Sequence, residues 1–327
     1  MKRFLERVLI ATLFTAVLGH VVAQSASGQQ KTVAEKLGYP ANSRLLIIHA
    51  QDMGMAHSID KATFEALEKG WVTSGSILVP CPWFPEVARW AKSHPSADLG
   101  IRLDMNASYP TYRWGPVSVQ KPGSGLLDAD GYLPAAQPYV ARHTSQEDVE
   151  TEARAQIEKA KKSGIPISHL DNYAKVLILT PALFQVYWKL GQEYKLPIVF
   201  PSRQVTQRGV LNNGGRAYSF GGMTLSLDQL PLDMVTEIFA GFTKADWLNA
   251  YEKALGALPP GVYQLSVHLG YDTEELQAVT GNDPNWGSQW RQNDFDVVSN
   301  PDFQKFLKDN GFILIGWKDL QKVMPTQ

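Results

Sequence analysis

From Ser43 onward the hydrophobic positions fall into two alternating patterns. Short runs dense in Leu, Ile and Val read as buried strands: "RLLIIHA" (44–50), "TSGSILVP" (73–80), "ADLGIRLDM" (97–105), "PISHLDNY" (166–173), "LPIVFPS" (196–202), "VYQLSVHL" (262–269) and "FILIGWKD" (312–319). Between them lie stretches whose apolar residues recur at helical spacing. These are "SIDKATFEALEKG" (58–70), "FPEVARWAKSH" (84–94), "SQEDVETEARAQIEKAKKSG" (145–164), "TPALFQVYWKLGQEYK" (180–195), "TKADWLNAYEKALGAL" (243–258) and "PDFQKFLKDNG" (301–311). Ser58 and Thr180 stand where N-caps belong, and Gly70, Gly164 and Gly311 stand where helices stop. Strands that alternate with helices pair in parallel through right-handed crossovers. The pattern therefore predicts one α/β domain over residues 43–322, a distorted (β/α) barrel of mostly parallel strands. A doubly wound sheet is the rival, but no G-x-G-x-x-G follows the first strand. Segments 117–144 and 203–242 carry turn residues without a clear period and read as excursions around the barrel.

In such a fold the chemistry sits where strands end. Polar residues gather there. The first strand ends in His49, Gln51 and Asp52, and the third in Arg102 and Asp104. The fourth carries His169, Asp171 and Tyr173 on one face, because strand side chains alternate, and the late strand ends in His268. Each taken singly has an ordinary structural reading: a turn residue, a core hydrogen bond, an ion pair. Together they form a convergent set from four separate elements. "NASYPTYRWGP" (106–116) adds Tyr109, Tyr112 and Trp114 nearby, and aromatic faces suit sugar rings.

Composition narrows the classes. A net charge of -1 over 327 residues leaves no electrostatic footprint for nucleic acid. The start of the chain, "MKRFLER" then "VLIATLFTAVL" then "GHVVAQSASG", has the order of a secretory signal peptide, with residues 1–23 removed and 24–42 left as a linker. An uncleaved anchor is the rival reading, but the apolar run is short for a span, so the mature protein is expected to be secreted or periplasmic with no membrane span. Its single cysteine, Cys81, excludes an internal disulfide and sits in an apolar setting that reads as core.

The stretch "LLIIHAQDMGMAHSIDKATFEALEKGWVTSGSILVPCPWFPEVARWAKSHPSADLGIRLDMN" resembles the opening of the YdjC-like carbohydrate deacetylases, which include chitooligosaccharide and hopanoid-biosynthesis deacetylases. "PISHLDNYA", "LSVHLGYD" and "WRQNDFDVVSNPDFQKFLKDNGFILIGWKDL" resemble the later motifs and closure of that family. The resemblance spans nearly all of residues 43–321. It implies a barrel of the polysaccharide-deacetylase type and metal-assisted hydrolysis of an N-acetyl group on a sugar. It also implies an Asp-Asp pair, the first the base and the second a metal ligand; here the pair is Gln51-Asp52. The histidine ligand of "Gly-x-His-Leu" is Arg102 here, and the last histidine of "His-x-Asp-Ser-His" is Tyr173. His169, Asp171 and the late histidine, His268, match.

The strand-end reading and the resemblance together give Asp52, His268 and Asp171 as catalytic candidates, and the strand-end and loop positions give Arg102, Asp104, His169, Tyr173 and Trp114 as candidate substrate contacts. Asp52 is the one metal ligand of the family that is kept. A guanidinium at a ligand position repels a dication and only donates hydrogen bonds. No cofactor is therefore expected, and zinc or magnesium enters only if Asp104, Asp171 and His169 rebuild the site. Three readings stay open: an Asp52–Arg102 pair that binds a glycan or another small ligand without metal; a hydrolase with a rebuilt site; and a glycosidase-like carboxylate pair drawn from Asp52, Asp104 and Asp171. Each takes a carbohydrate or small-molecule partner, and self-association as a homodimer is compatible with all three.

Overall fold

The computed structural model describes residues 31–324 apart from 202–203, 207–208, 212–217, 221–222, 226–229, 238–242 and 282. The signal sequence expected at residues 1–23 lies outside the described residues. The strands are β1 (Arg44–Met53), β2 (Ser74–Ile77), β3 (Leu99–Leu103), β4 (Ile167–Asn172), the short β5 (Gln204–Thr206), β6 (Gly209–Leu211), β7 (Tyr218–Phe220) and β8 (Met223–Leu225), then β9 (Met234–Glu237), β10 (Gly261–Val267) and β11 (Phe312–Leu314). The helices are α1 (Val33–Lys36), α2 (His57–Glu68), α3 (Phe84–Ser93), α4 (Gln137–His143), α5 (Gln146–Lys162), α6 (Pro181–Tyr194), α7 (Trp247–Gly256), α8 (Glu274–Thr280), α9 (Ser288–Val298), α10 (Pro301–Asp309) and α11 (Trp317–Val323).

The main sheet has the order β4-β3-β2-β1-β10-β9, with β11 also on β1, and every pairing in it is parallel. Isolated bridges from Leu170 to Ile198 and from Pro201 to Leu232 carry the curve round from β4 toward the start of β9. This is the distorted barrel that the alternation predicts. β5–β6 and β7–β8 form separate antiparallel hairpins.

Two layers of core wrap the sheet. Leu46, Ile48 and Ala50 of β1 pack outward with Leu265 and Val267 against Trp247, Tyr251 and Phe303 of the helices. Leu99, Ile101 and Leu103 of β3 pack with Val149, Ala153 and Ile157 of α5. The opposite faces of the same strands point into the barrel. Its floor is apolar, made by Leu45, Ile47, Val262, Ile315 and Trp317.

Above the floor the interior turns polar. His49 of β1 and His169 of β4 meet across it with ring centroids 5.0 Å apart, although their strands are not neighbours. His49 bonds Ser74 Oγ at 3.2 Å and Ser76 Oγ at 3.0 Å, and Ser76 donates to Asp171 at 3.0 Å. Ser74 and Ser168 both donate to Asp98, at 3.1 and 2.6 Å. Buried polar groups are tolerated because they bond one another.

Several expectations need correcting. The run 312–319 is not one strand. β11 ends at Leu314, and Trp317 opens α11 and fills the base of the barrel, where it stacks on His169 at 4.8 Å and donates to Gln264 at 2.9 Å. Ser58 does not cap α2 from outside; it lies in the helix, and Glu275 accepts from the His57 and Ser58 amides at 3.1 Å each. Thr180 does cap α6, accepting from Leu183 N. Packing begins before residue 43: Ala34 of α1 is buried against the barrel floor, with Leu37 and Tyr39 beside it. Among the described residues no helix is long and apolar enough to cross a membrane. Cys81 is buried and free.

Candidate functional site

The site forms where β1, β3, β4 and β10 end. β1 carries an irregularity against β2 between Ala50 and Met53, and within it Asp52 adopts φ 70°. Such bulges re-aim side chains, and a left-handed aspartate is a strained conformation held by its surroundings. Arg102 and Asp171 are direct register partners on β3 and β4. Arg102 Nη1 donates to Asp171 Oδ2 at 3.2 Å, and its Nε lies 3.4 Å from Asp52 Oδ1. Arg291, from α9, donates through Nη2 to Asp52 Oδ2 at 2.8 Å. One carboxylate is thus flanked by two guanidiniums, all of them buried.

The charges follow from that arrangement. Burial pushes the Asp52 carboxyl up, but Arg102, Arg291 and His268 outweigh it and bring the group down to about 2. Burial likewise works against Asp171, and Arg102 and His49 hold it well below the usual carboxylate range. Burial, with help from Arg291 and Arg102, brings His268 down to about 3 against the pull of Asp52, so the imidazole is neutral. Its backbone N–H donates to Asp294 at 2.9 Å. Gln51 donates to Ser266 at 3.3 Å, and its carbonyl oxygen is buried without a partner. At neutral pH an amide there takes up no proton.

Tyr173 closes one side. The Arg102 guanidinium lies over its ring at 5.3 Å, and its hydroxyl meets Ser108 Oγ at 3.2 Å. Tyr109, expected among the loop aromatics, acts on the Arg291 guanidinium and is itself pushed up by burial.

Three expected site residues are placed elsewhere. His169 faces the interior, as strand alternation requires, but one layer too deep. It is fully buried between His49 and Trp317, bonded to Ser168 at 2.8 Å and kept neutral by burial and by His49. Asp104 lies past the end of β3, so alternation no longer sets its face. Its oxygens accept from Trp114 Nε1 at 2.6 Å and from Asn106 N at 3.0 Å, and Gln156 of α5 bonds its backbone. Burial raises it to about 8, so it is a neutral acid that anchors a loop. Trp114 is consumed in the same contact and is buried, with no free face for a ligand. Tyr112 donates to the Met55 carbonyl at 2.6 Å.

Sequence reasoning missed Arg291. It lies in "SQWRQNDFDVV", whose apolar residues give no clean face, and a lone arginine in such a stretch reads as solvated surface. The available signal was indirect: a buried Asp52 without a metal requires cations.

A divalent ion does not fit the donor set. Both oxygens of Asp52 face arginines, Arg102 and Tyr173 offer a cation and a phenol where the resemblance implies histidine ligands, and Asp104 is raised to about 8 and bound to Trp114. Among the described residues no cluster of three or more His, Cys, Asp or Glu is disposed to hold a metal. A dication would have to displace two guanidiniums from a buried carboxylate.

Known proteins resemble the chain at this level. A carbohydrate deacetylase of Thermus thermophilus is 28% identical over 300 residues, covering 89% of this chain and 98% of that protein. A carbohydrate deacetylase of Thermoanaerobacter pseudethanolicus is 21% identical over 278 residues, covering 85% of this chain and all of the other, 100%. A solved structure from Enterococcus faecalis, described as that of a cellobiose-phosphate cleavage protein, superposes with a TM-score of 0.69 at 22% identity over 85% of this chain and 99% of its own, and so shares the fold. The sequence matches the YdjC-like protein family over residues 45–309, and the chain belongs to that family.

Proposed function

We propose that this chain is a carbohydrate deacetylase-type hydrolase in which guanidinium charge does the work that a divalent ion does in the mechanism its sequence resembles. The observation that carries this reading is the position of Arg102 and Arg291 on either side of Asp52. A carbonyl oxygen brought against this pair meets donors that stabilise an oxyanion without reorganisation. Gln51 cannot be the base, and Asp52 and Asp171 are engaged by the guanidiniums that hold them ionised. Neutral His268 is the group left to accept a proton. Its affinity for that proton rises as negative charge develops on a substrate between the arginines, because those same arginines help to depress it now. The pattern of the N-terminus supports action outside the cytoplasm.

A second reading has its own observation. With an amide in place of the base and His268 at about 3, the resting site lacks a group poised near neutral pH for proton transfer. On that reading the same cleft binds a glycan without turning it over.

Acetate release from N-acetylated oligosaccharides, measured in excess chelator, separates the two. Turnover that survives chelation and is lost in His268→Ala supports the hydrolase. Binding without acetate release supports the second reading. Release that requires added zinc contradicts both.

A further inference from the structure

The aromatic ring free to take a sugar is not Trp114 but Trp286. This residue sits in the loop between α8 and α9 and is 37% exposed, against 3% for Trp114. Its backbone stands at φ 58°, in the left-handed region where a bulky residue is strained. Two contacts hold it there. Arg291 Nε donates to the Trp286 carbonyl at 2.8 Å. The next residue, Gly287, lies so close to the Asp283 carbonyl that a Cβ at that position would come within 1.9 Å of its oxygen. The loop is therefore built tight and tied to the same guanidinium that binds Asp52. The indole is 6.2 Å from the His268 ring and is backed by Trp290 at 5.8 Å.

We infer that Trp286 is a stacking subsite for a pyranose ring, held beside His268 by the bond from Arg291 to its carbonyl. The inference rests on the carbohydrate reading above. Strain of this kind persists where the surroundings over-determine it, and here the strained residue is also an exposed indole at the lip of the site. Carbohydrate C–H faces pack on aromatic rings, whose amphipathic surface suits a ligand apolar on its faces and polar at its rim. Arg291 thereby links recognition to chemistry: one guanidinium sets both the indole and the Asp52 carboxylate.

The test is calorimetric titration of triacetylchitotriose into the wild-type chain, Trp286→Phe, Trp286→Ala and Trp286→Asn. Wild type binds, Trp286→Phe keeps most of the affinity, and Trp286→Ala loses about tenfold or more. Trp286→Asn, a residue at ease in left-handed backbone, melts no lower than Trp286→Ala yet loses the ligand equally. If Trp286→Ala binds as tightly as wild type, the subsite is overturned and the carbohydrate reading stands. If wild type does not bind the trisaccharide, the carbohydrate reading falls and takes the subsite with it.

Discussion

Arg291 Nη2 and Asp52 Oδ2 lie 2.8 Å apart although 239 positions separate them in the chain. The contact joins the strained end of the first strand to a helix near the close of the domain, inside a buried cluster with Arg102 and Asp171. Removing one member of such a cluster leaves the others as unpaired buried charges.

Asp52→Asn is therefore expected to destabilise the fold by about 3–5 kcal/mol, because both guanidiniums lose their shared anion. Arg291→Ala is expected to cost a similar amount, of order 3–5 kcal/mol, and Arg291→Lys to restore only part of it, since an ammonium cannot bond both Asp52 and the Trp286 carbonyl in the same fixed geometry. Chemical denaturation measures these values, and changes within about 0.5 kcal/mol would mean that the cluster is solvated rather than buried.

His268 gives the acid side of the pH profile. The unfolded imidazole takes its proton near 6.5, the folded one only near 3. Between those values the unfolded chain binds the extra proton, so this residue makes stability fall as pH drops from 6.5 toward 3. Asp52 adds a further loss from 3.8 down to about 2. Asp104 acts in the opposite sense, its folded value of about 8 making stability fall as pH rises from 3.8 toward 8. The difference between wild type and His268→Gln isolates the histidine: the two melting curves converge as pH falls from 6.5. Curves that stay parallel across that range would show that His268 is not buried in its neutral form.

The polar interior predicts a steric coupling. A Cβ at Gly100 would lie 2.3 Å from His169 Nε2, in a layer closed by His49 and Trp317. Gly100→Ala alone is expected to cost about 3 kcal/mol or more through overpacking. His169→Ala creates a cavity, and the double variant should be less destabilised than the sum of the singles by about 1 kcal/mol or more. Strict additivity in denaturation midpoints would place the two residues apart.

Much of this was legible in the sequence, and the failures have a common cause. Periodicity placed β1 to β4 and β10 because their outer faces are dense in apolar residues, and alternation correctly turned Arg102, His169 and Asp171 inward. Alternation sets a face but not a depth, so the strand pattern puts His169 at the opening while it lies one layer below. It also lapses beyond a strand's end, which is why Asp104, one residue past Leu103, leaves the face that alternation gives it with Arg102. Trp317 reads as strand because "FILIGW" is dense in apolar residues, and only Gly316 marks the break. Arg291 and Trp286 had no periodic signal at all. Their roles come from a tight turn and a long-range ion pair, and neither is a property of local sequence.

The central claim is that paired guanidiniums, and not a divalent ion, occupy the charge centre of this site. Elemental analysis of the purified chain after equilibration with zinc and gel filtration tests it most directly. Far less than one zinc per chain is expected, unchanged by Asp52→Ala. Near-stoichiometric zinc that disappears in Asp52→Ala would contradict it.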